Sequence, residues 1–285
     1  MEKYYNYLTT PSGKECILKE MKNEEYLILM KFLNGDNYKG FYNALDSLIK
    51  ESIPDFGEYD LCDKAYIYIT NYYYSVKNEI SVKGEKIDTI SLPLIIILDE
   101  IEKNYDKNTI DFKLLNRKAL LHYPKYLIFD DNDSIAIDYI SGLYKVDDIE
   151  ISPDKMILLS KYTPIKILNS LSELIKRNFN FEIFISKGIP GIKELKDNML
   201  NPSFFYSIAY IYKDLLENFY NMQYMACHYI RVDWQSILQM TPLELSILYK
   251  NFIEDKEKQN NTSKNNRTGT LSSIDPNVSD ALGGY

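Results

Sequence analysis

The chain contains few side chains of the kinds that carry out acid-base, nucleophilic or metal chemistry. It has two histidines, His122 and His228, and three cysteines, Cys16, Cys62 and Cys227. Cys227 and His228 are adjacent, and neighbouring positions on a helix point about 100° apart, so the two side chains do not form a nucleophile-base pair. A histidine on an apolar helix is more often a packing residue than a ligand. We therefore expect neither histidine to be catalytic or to bind a metal.

The remaining candidate motifs are incomplete. Residues 130–133 read Asp-Asp-Asn-Asp, like part of a calcium-binding loop, but the glycine and closing glutamate of that loop are absent, which favours a solvated turn. No GxGxxG, Walker, GxSxG or HExxH motif occurs. Carboxylates such as Glu173 and Glu217 would make an acid-base pair only if folding brought them together. The sequence predicts no cofactor, no metal and no enzymatic activity.

A long apolar pattern dominates the C-terminal part of the chain. Between Phe204 and Ala226, apolar residues recur at spacings of three and four, with a second apolar row beside the first. This surface is wider than the stripe of an ordinary surface helix. We predict one long helix over residues 203–230 that has packing partners on more than one side.

Two further helix starts follow. Asp233 is placed to cap a short segment that carries Trp234, the only tryptophan. Residues 241–244, Thr-Pro-Leu-Glu, combine a capping box with proline at the first helical position. They predict a last helix that ends near Lys258.

The preceding segments indicate a mixture of strands and helices. We expect a hairpin over residues 4–21, a helix capped by Asn23, and helices beginning at Tyr38 and Asp60. The next segments predict two strands around Gly84, a helix rather than a strand within 92–104, strands at 109–115 and 126–129, and a helix capped by Asp133 that runs to Ile140. Further along, Thr163 as cap and Pro164 open a helix, and another helix from Phe179 to Lys187 ends at a Gly-Pro break in residues 188–191. These elements predict an α+β fold, mainly helical, with an N-terminal hairpin, a small central β region and a C-terminal helical bundle.

The elements divide the chain into four regions. They are an N-terminal hairpin and helical cluster (1–78), a mixed β/α middle region (79–160), a C-terminal helical region (161–258) and a polar low-complexity tail (259–285). The last region is rich in Asn, Ser, Thr and Gly and has no periodicity, so alone it would be disordered.

Composition restricts the classes of partner. Of the 285 residues, 45% are hydrophobic and 26% charged, which is typical of a globular chain. The net charge of −8 argues against a nucleic acid or an anionic membrane bound through bulk charge. Three widely spaced cysteines offer neither a disulfide framework nor a CxxC pair and favour a reducing compartment. The longest aliphatic run, 92–98, is far shorter than a membrane span needs, and the first eight residues do not resemble a secretory signal.

Tyrosine is unusually frequent, with 26 residues against one tryptophan. An AT-rich genome would explain most of them, and interface use would explain a subset, because a tyrosine ring can be buried while its hydroxyl stays hydrated. We predict that interface anchors lie on the C-terminal helices, with simple packing of the bundle as the alternative. The candidate interface residues are Tyr210, Tyr212, Tyr220, Tyr224, Tyr229 and Trp234.

Several short segments also occur in a particular order. They are residues 8–14, His122-Tyr123-Pro124, residues 179–190, Phe204-Phe205, the Tyr-rich helix and residues 234–244. Their order resembles that of a family of T-even-type phage baseplate proteins that serve as a hub component, whose members begin with an LPSGK motif. The resemblance covers most of residues 7–257. Family members often carry Cys-x-x-Cys pairs suggestive of zinc; this chain has none, so no zinc site is carried over, and the extension after Lys258 has no counterpart.

The resemblance implies a non-enzymatic structural component of a contractile-tail baseplate, at or near the hub. Its partners would be other baseplate, hub and tail-tube proteins, or further copies of the chain in a symmetric baseplate, held by apolar helix contacts and a wrapping tail. It would be made in the host bacterial cytoplasm and reside in the virion. The alternative is an assembly chaperone that is absent from the mature virion. A third hypothesis, a cell-wall hydrolase, would need carboxylates that converge in a cleft at about 5 to 10 Å.

Overall fold

A computed structural model describes residues 4–82, 90–184, 196–214 and 216–265. The fold is α+β and mainly helical, as predicted. The helices are α1 (Asn23–Asn34), α2 (Tyr38–Lys50), α3 (Leu61–Ser75), α4 (Ile95–Asn104), α5 (Pro153–Tyr162), α6 (Ile165–Phe179), α7 (Pro202–Tyr212), α8 (Leu216–Met225), α9 (Trp234–Gln239) and α10 (Pro242–Asn265). Short 3-10 turns lie at Phe56–Glu58 and Tyr139–Gly142, and a π-helical turn lies at Ala226–Ile230.

The strands form small antiparallel sheets. They are β1 (Tyr5–Thr9), β2 (Glu15–Lys19), β3 (Glu79–Val82), β4 (Ile90–Pro93), β5 (Ile110–Leu114), β6 (Arg117–Leu121), β7 (Tyr126–Phe129), β8 (Ile135–Asp138), β9 (Leu143–Val146), β10 (Ile149–Glu150), β11 (Glu182–Phe184) and β12 (Lys196–Asn198). The largest sheet has the order β10-β9-β6-β5, and the other strands form two-stranded pairs: β1-β2, β3-β4, β7-β8 and β11-β12.

The N-terminal region follows the sequence prediction closely. The hairpin β1-β2 pairs Asn6 with Leu18, and Gly13 in its turn has a φ of +92°, which favours glycine. Helices α2 and α3 begin where expected. One cap was predicted wrongly: the cap residue of α1 is Lys22, and Asn23 is buried, where its side-chain amide donates to the Ile237 carbonyl at 2.8 Å.

Three predictions in the middle and C-terminal regions are wrong. Asp133 does not cap a helix, because its φ of 59° closes the turn between β7 and β8. Thr163 does not cap α6, which begins at Ile165 with Pro164 in the cap position. The helix predicted over 179–187 is also wrong over its described part. There α6 ends at Phe179, and β11 follows because the side-chain oxygen of Asn180 accepts from the Leu200 amide at 2.7 Å and holds the chain extended. The Gly-Pro break at 188–191 lies outside the described residues.

The long helix predicted over 203–230 is interrupted. Helix α7 ends at Tyr212 and α8 starts at Leu216, because two residues of α1 provide the hydrogen bonds that a continuous helix would have made itself. The Tyr26 hydroxyl donates to the Tyr212 carbonyl at 3.1 Å, and the Asn34 amide donates to the Asp214 carbonyl at 3.1 Å. The apolar periodicity continues across the break since both helices pack on the same core.

The C-terminal caps are confirmed. The Asp233 side chain accepts from the Ser236 amide at 2.9 Å, and Thr241 and Glu244 make the predicted reciprocal capping box at 3.1 and 3.0 Å. Helix α10 continues past Lys258 to Asn265, so the first residues of the predicted tail are helical. Residues 266–285 lie outside the described ranges, and the region boundaries remain predictions.

One buried hydrophobic cluster extends from Leu18 to Leu245 and includes residues from both the N-terminal and C-terminal helices. A backbone hydrogen bond also joins the N-terminal and C-terminal helical parts of the chain: the Asn23 amide donates to the Met240 carbonyl at 2.8 Å. Within the described ranges, no helix has both the length and the apolar character to cross a membrane.

Candidate functional site

Polar side chains from distant parts of the sequence meet at the N-terminus of α3. Asp60 caps this helix: one carboxylate oxygen accepts from the backbone amides of Cys62 and Asp63, both at 2.9 Å, and the other accepts from the Tyr105 hydroxyl at 2.8 Å. The side chain is almost fully buried, and burial raises the pKa of Asp60. Its position follows from the local sequence, whereas its contact with Tyr105 depends on the tertiary fold.

Asp63, one turn further along α3, joins the helix to the N-terminal hairpin. Its two oxygens accept from the backbone amide of Ser12 at 3.0 Å and from the Ser12 hydroxyl at 2.6 Å. The residue is 0% exposed. Burial, followed by the nearby charge of Asp60, raises the pKa of Asp63 to about 6. This carboxylate therefore fixes the hairpin turn on α3.

His122 approaches the same helix terminus from the end of β6. Its Nδ1 atom lies 3.8 Å from the Asp60 carboxylate, and its ring packs against Tyr123 and Phe179 with centroid distances of 5.2 and 5.5 Å. Burial lowers the pKa of His122, which favours the neutral ring. Two residues later, the Pro124 carbonyl accepts from the Leu61 amide at 2.7 Å. The segment 122–124 is thus fastened to the start of α3.

These residues border a pocket with a volume of about 310 Å³, which we call the junction pocket. Its lining is predominantly polar in residue type and includes three lysines. The lining residues are Ser12, Lys14, Glu58, Asp60, Tyr105, Lys107, Thr109, His122, Tyr123, Lys125, Ser141, Gly142 and Tyr144. Lys125 pairs with Glu58 at 3.1 Å, whereas the Lys14 amine lies 3.9 Å from the centroid of the Tyr59 ring.

The chemistry available at the junction pocket is limited by its hydrogen bonds. Both Asp60 oxygens already accept from donors, and the Ser12 hydroxyl is bonded to Asp63 and not to His122. Cys16 and Cys62 are not activated thiols, because burial raises the pKa of Cys16 to about 11 and also raises that of Cys62. The described residues include no group of three His, Cys, Asp or Glu side chains placed to hold a metal.

The Asp-rich segment 130–133 forms a turn, as predicted. The Asp130 carboxylate accepts from the amides of Ser134 and Asn132 at 2.8 and 2.9 Å, and these hydrogen bonds lower the pKa of Asp130. The oxygen that could have bound a cation therefore organises the local backbone.

The six predicted interface residues separate into one core residue and five exposed ones. Tyr212 is wrong as a surface anchor: it is 0% exposed, and its hydroxyl donates to the Tyr68 carbonyl at 2.6 Å. It packs edge-on against Phe41 and Tyr72, because its side of α7 faces the core. The exposed fractions of the others are 76% for Tyr210, 42% for Tyr220, 58% for Tyr224, 53% for Tyr229 and 44% for Trp234.

Three of the exposed residues lie close together. Tyr220 and Tyr224 are one turn apart on α8, Tyr224 stacks on His228 with a centroid distance of 5.4 Å, and Tyr229 contacts both His228 and Phe252 of α10. We call Tyr220, Tyr224, His228, Tyr229 and Phe252 the C-terminal aromatic surface. His228 is itself exposed, and its ring contacts those of Tyr224 and Tyr229. No ring contact among the described residues joins Tyr210 or Trp234 to this surface.

A buried polar residue lies beside the C-terminal aromatic surface. Gln223, immediately before Tyr224 on α8, is 0% exposed, and neither its amide nitrogen nor its amide oxygen has a hydrogen-bond partner among the described residues. An unsatisfied buried amide weakens the packing of the helix that carries it. The α8 region is therefore less completely bonded than the start of α3.

The sequence predicted part of this arrangement. It predicted Asp60 as a cap, but it did not predict that Asp60, Asp63, Ser12, Tyr105 and His122 would meet. Two carboxylates three residues apart at a helix start were the available signal, since both would be placed on the first turn.

Comparison with known proteins gives no relative for this chain. No protein family model, no curated protein and no solved structure matches it.

Proposed function

We propose that the chain is a non-enzymatic structural component of a contractile-tail phage baseplate, at or near the hub, that holds neighbouring tail proteins together. The observation that carries this proposal is the C-terminal aromatic surface. Tyr220, Tyr224 and Tyr229 are each at least 42% exposed although they contact other rings. The resemblance to baseplate hub proteins supplies the biological setting.

Exposed aromatic residues that lie together are typical of protein contact surfaces. Tyrosine and tryptophan are enriched among the residues that contribute most binding energy, because they bury a large rigid area with little loss of side-chain entropy. A stacked pair such as Tyr224 and His228 is already ordered, so less conformational freedom is lost when a partner covers it. This surface fits apolar helix contacts with a neighbouring protein.

The segments that carry the resemblance hold distant parts of the chain together. Residues 8–14 and 122–124 meet at α3 through Asp63 and Leu61, and residues 240–244 bind the start of α1 and the N-terminal Tyr4. Such joints would keep the protein rigid while other surfaces bind partners. We propose baseplate, hub and tail-tube proteins, or further copies of this chain, as those partners, with the C-terminal tail wrapping one of them.

Quantitative mass spectrometry of purified phage tails tests the proposal. A structural part should be present at a small fixed ratio to the tube and sheath proteins, such as about three or six copies per particle, because closed symmetric assemblies contain fixed copy numbers. Absence from finished tails, with presence in infected-cell extracts bound to hub proteins, would indicate an assembly chaperone instead. Absence from both would remove the baseplate proposal.

The role of the C-terminal aromatic surface has a separate test. We expect the double variant Tyr220→Ser/Tyr224→Ser to fold normally but to enter tails at a reduced level, because apolar contact area is lost. Tyr162→Ser is the control, since Tyr162 is 71% exposed on α5 and is not part of this surface. Incorporation is measured by mass spectrometry after complementation. Equal incorporation of the double variant and the wild type would exclude this surface as the contact.

A further inference from the structure

The outer edge of β1 has no neighbouring strand among the described residues. Within the hairpin, the Glu20 amide donates to the Tyr4 carbonyl at 2.8 Å, and the Thr10 amide donates to the Lys14 carbonyl at 2.9 Å. Bonding direction alternates along an antiparallel strand, so the even-numbered residues of β1 bond to β2 and the odd-numbered residues direct their backbone groups away from it. The outward-directed residues are Tyr5, Tyr7 and Thr9. In the described ranges, no hydrogen bond reaches their backbone N–H and C=O groups.

The side chains beside this edge are exposed and uncharged. Tyr7 is 84% exposed, more than any other large apolar residue in the described ranges, and Tyr5 is 47% exposed. Ile17 of β2 lies opposite Tyr7 on the same face. Edge strands are usually protected by charged residues, proline or a bulge. The sequence of β1, Tyr-Asn-Tyr-Leu-Thr, contains neither charge nor proline and its register is regular, whereas β5, an edge strand of equal length, contains Asp111 and Lys113.

The opposite edge of the hairpin is occupied at Lys19. The Lys19 amide of β2 donates to the Ser52 hydroxyl at 3.2 Å, and the Lys19 carbonyl accepts from the Asn71 side-chain amide at 3.1 Å. Ser52 follows α2, and Asn71 belongs to α3. A further strand could therefore add to the hairpin at β1 but not at this part of β2.

From this geometry we infer that β1 pairs with β1 of a second copy of the chain, antiparallel and with a two-fold axis at Tyr7. In this register Tyr7 exchanges both backbone hydrogen bonds with its counterpart in the other copy, and Tyr5 exchanges them with Thr9. Every outward backbone group of the strand then has a partner. A second copy fits because this neutral strand is complementary to itself: tyrosine faces tyrosine and no like charges meet, although the whole chain has a net charge of −8.

The pairing gives one four-stranded sheet in the order β2-β1-β1-β2. It is a closed dimer, because the bonds of Lys19 to Ser52 and Asn71 leave β2 unable to accept a further strand there. Each copy contributes a strand of only five residues, so we expect a weak dimer that forms at high protein concentration. The inference specifies one partner of the proposed function, a further copy of the chain, and rests on that proposal only for its biological setting.

Sedimentation velocity of the purified full-length chain tests the inference, at concentrations from about 1 to 300 μM. We expect a monomer-dimer equilibrium without larger species. Since Tyr7 faces itself at the two-fold axis, Tyr7→Lys and Tyr7→Glu should each weaken the dimer at least about tenfold through like charges, and an equimolar mixture of the two should recover it. Tyr210→Lys is the control, because Tyr210 is 76% exposed on α7 and should leave the dimer unchanged.

Four outcomes would overturn the inference. They are a chain that stays monomeric over the whole range, growth into larger species, an equal loss in the Tyr210→Lys control, and a mixture of Tyr7→Lys and Tyr7→Glu that does not recover the dimer. A monomeric chain whose Tyr7→Lys variant enters tails poorly would instead assign β1 to a strand of another protein. Unfolding midpoints confirm that each variant keeps its fold. The dimer is measured without tails, so its failure and the failure of the baseplate proposal are distinguishable.

Discussion

The start of α3 and the C-terminal aromatic surface use their side chains in opposite ways. At α3, the carboxylates of Asp60 and Asp63 are buried and accept hydrogen bonds from three parts of the chain. At the C-terminal aromatic surface, the rings of Tyr224, His228 and Tyr229 are exposed and contact one another, and the adjacent Gln223 has no hydrogen-bond partner among the described residues. The first arrangement joins segments within the protein. The second leaves apolar area available, which is why we assign the intramolecular role to one and the partner-binding role to the other.

The largest expected effect is a difference in stability between substitutions on the buried and the exposed side of α7. Tyr212→Ala should lower the free energy of unfolding by about 3 to 5 kcal/mol, because it opens a cavity in the core and removes a buried hydroxyl from the Tyr68 carbonyl. Tyr210→Ala, two residues earlier and 76% exposed, should change it by less than about 0.5 kcal/mol. Urea unfolding measures both. Similar losses for the two variants would contradict the placement of Tyr212 in the core.

The next effect compares two helix caps. Asp60→Ala should cost about 2 to 4 kcal/mol, because it removes a cap and leaves the Tyr105 hydroxyl without its acceptor in a buried setting. Asp233→Ala removes a cap of the same type from the exposed helix α9 and should cost clearly less. Both are measured by urea unfolding at neutral pH. If the two variants were equally destabilised, the hydrogen bond from Tyr105 would add nothing to the cap.

The third effect is a pH dependence caused by Asp63. Its pKa is raised to about 6 in the folded protein, so the native state takes up a proton before the unfolded state does as the pH falls. The ionised Asp63 carboxylate therefore lowers the free energy of unfolding above about pH 6. This cost decreases towards pH 4, because the carboxylate becomes protonated in the folded protein. The free energy of unfolding of the wild type minus that of Asp63→Asn should increase by about 1 to 2 kcal/mol as the pH is lowered from 7 to 4.5. Urea unfolding at each pH measures this difference. A constant difference would mean that Asp63 titrates normally.

The smallest effect is an expected gain in stability at the C-terminal helices. Gln223→Leu replaces a buried amide without a described partner by an apolar side chain of similar size, and should raise the free energy of unfolding by up to about 1 kcal/mol. Gln239→Leu is the control, because that amide is exposed and donates to Glu24 at 3.0 Å. Thermal unfolding measures both. A loss of stability for Gln223→Leu would indicate a polar partner beyond the described residues.

Features set by neighbouring residues were predictable from the sequence, and features set by distant residues were not. The caps at Asp60 and at Thr241-Glu244 need only residues within one turn, and both were correctly predicted. The break after Tyr212 depends on Tyr26, which is 186 residues away in the sequence, so the apolar periodicity alone predicted a continuous helix. The junction pocket was missed for the same reason, since Asp60 and His122 meet only in the fold.

Among the described strands, β6 and β9 were missed because each is only four or five residues long and contains lysine or arginine, so no apolar alternation is visible. They pair with each other around a register shift between Leu120 and Leu121, which a regular alternation pattern does not reveal. The exposed positions of Tyr220, Tyr224 and Tyr229 fit the predicted interface set, but their role in binding remains a prediction.

The contact between the first turn of α1 and residues 237–240 has a consequence for how the chain is made. The buried Asn23 amide donates to a carbonyl 214 residues further along the sequence. During translation this partner emerges from the ribosome roughly 10 to 40 seconds after Asn23, at about 5 to 20 residues per second. The start of α1 must therefore wait in an incompletely bonded state until almost the whole chain has been synthesised, so completion of the N-terminal half is a late event in biogenesis.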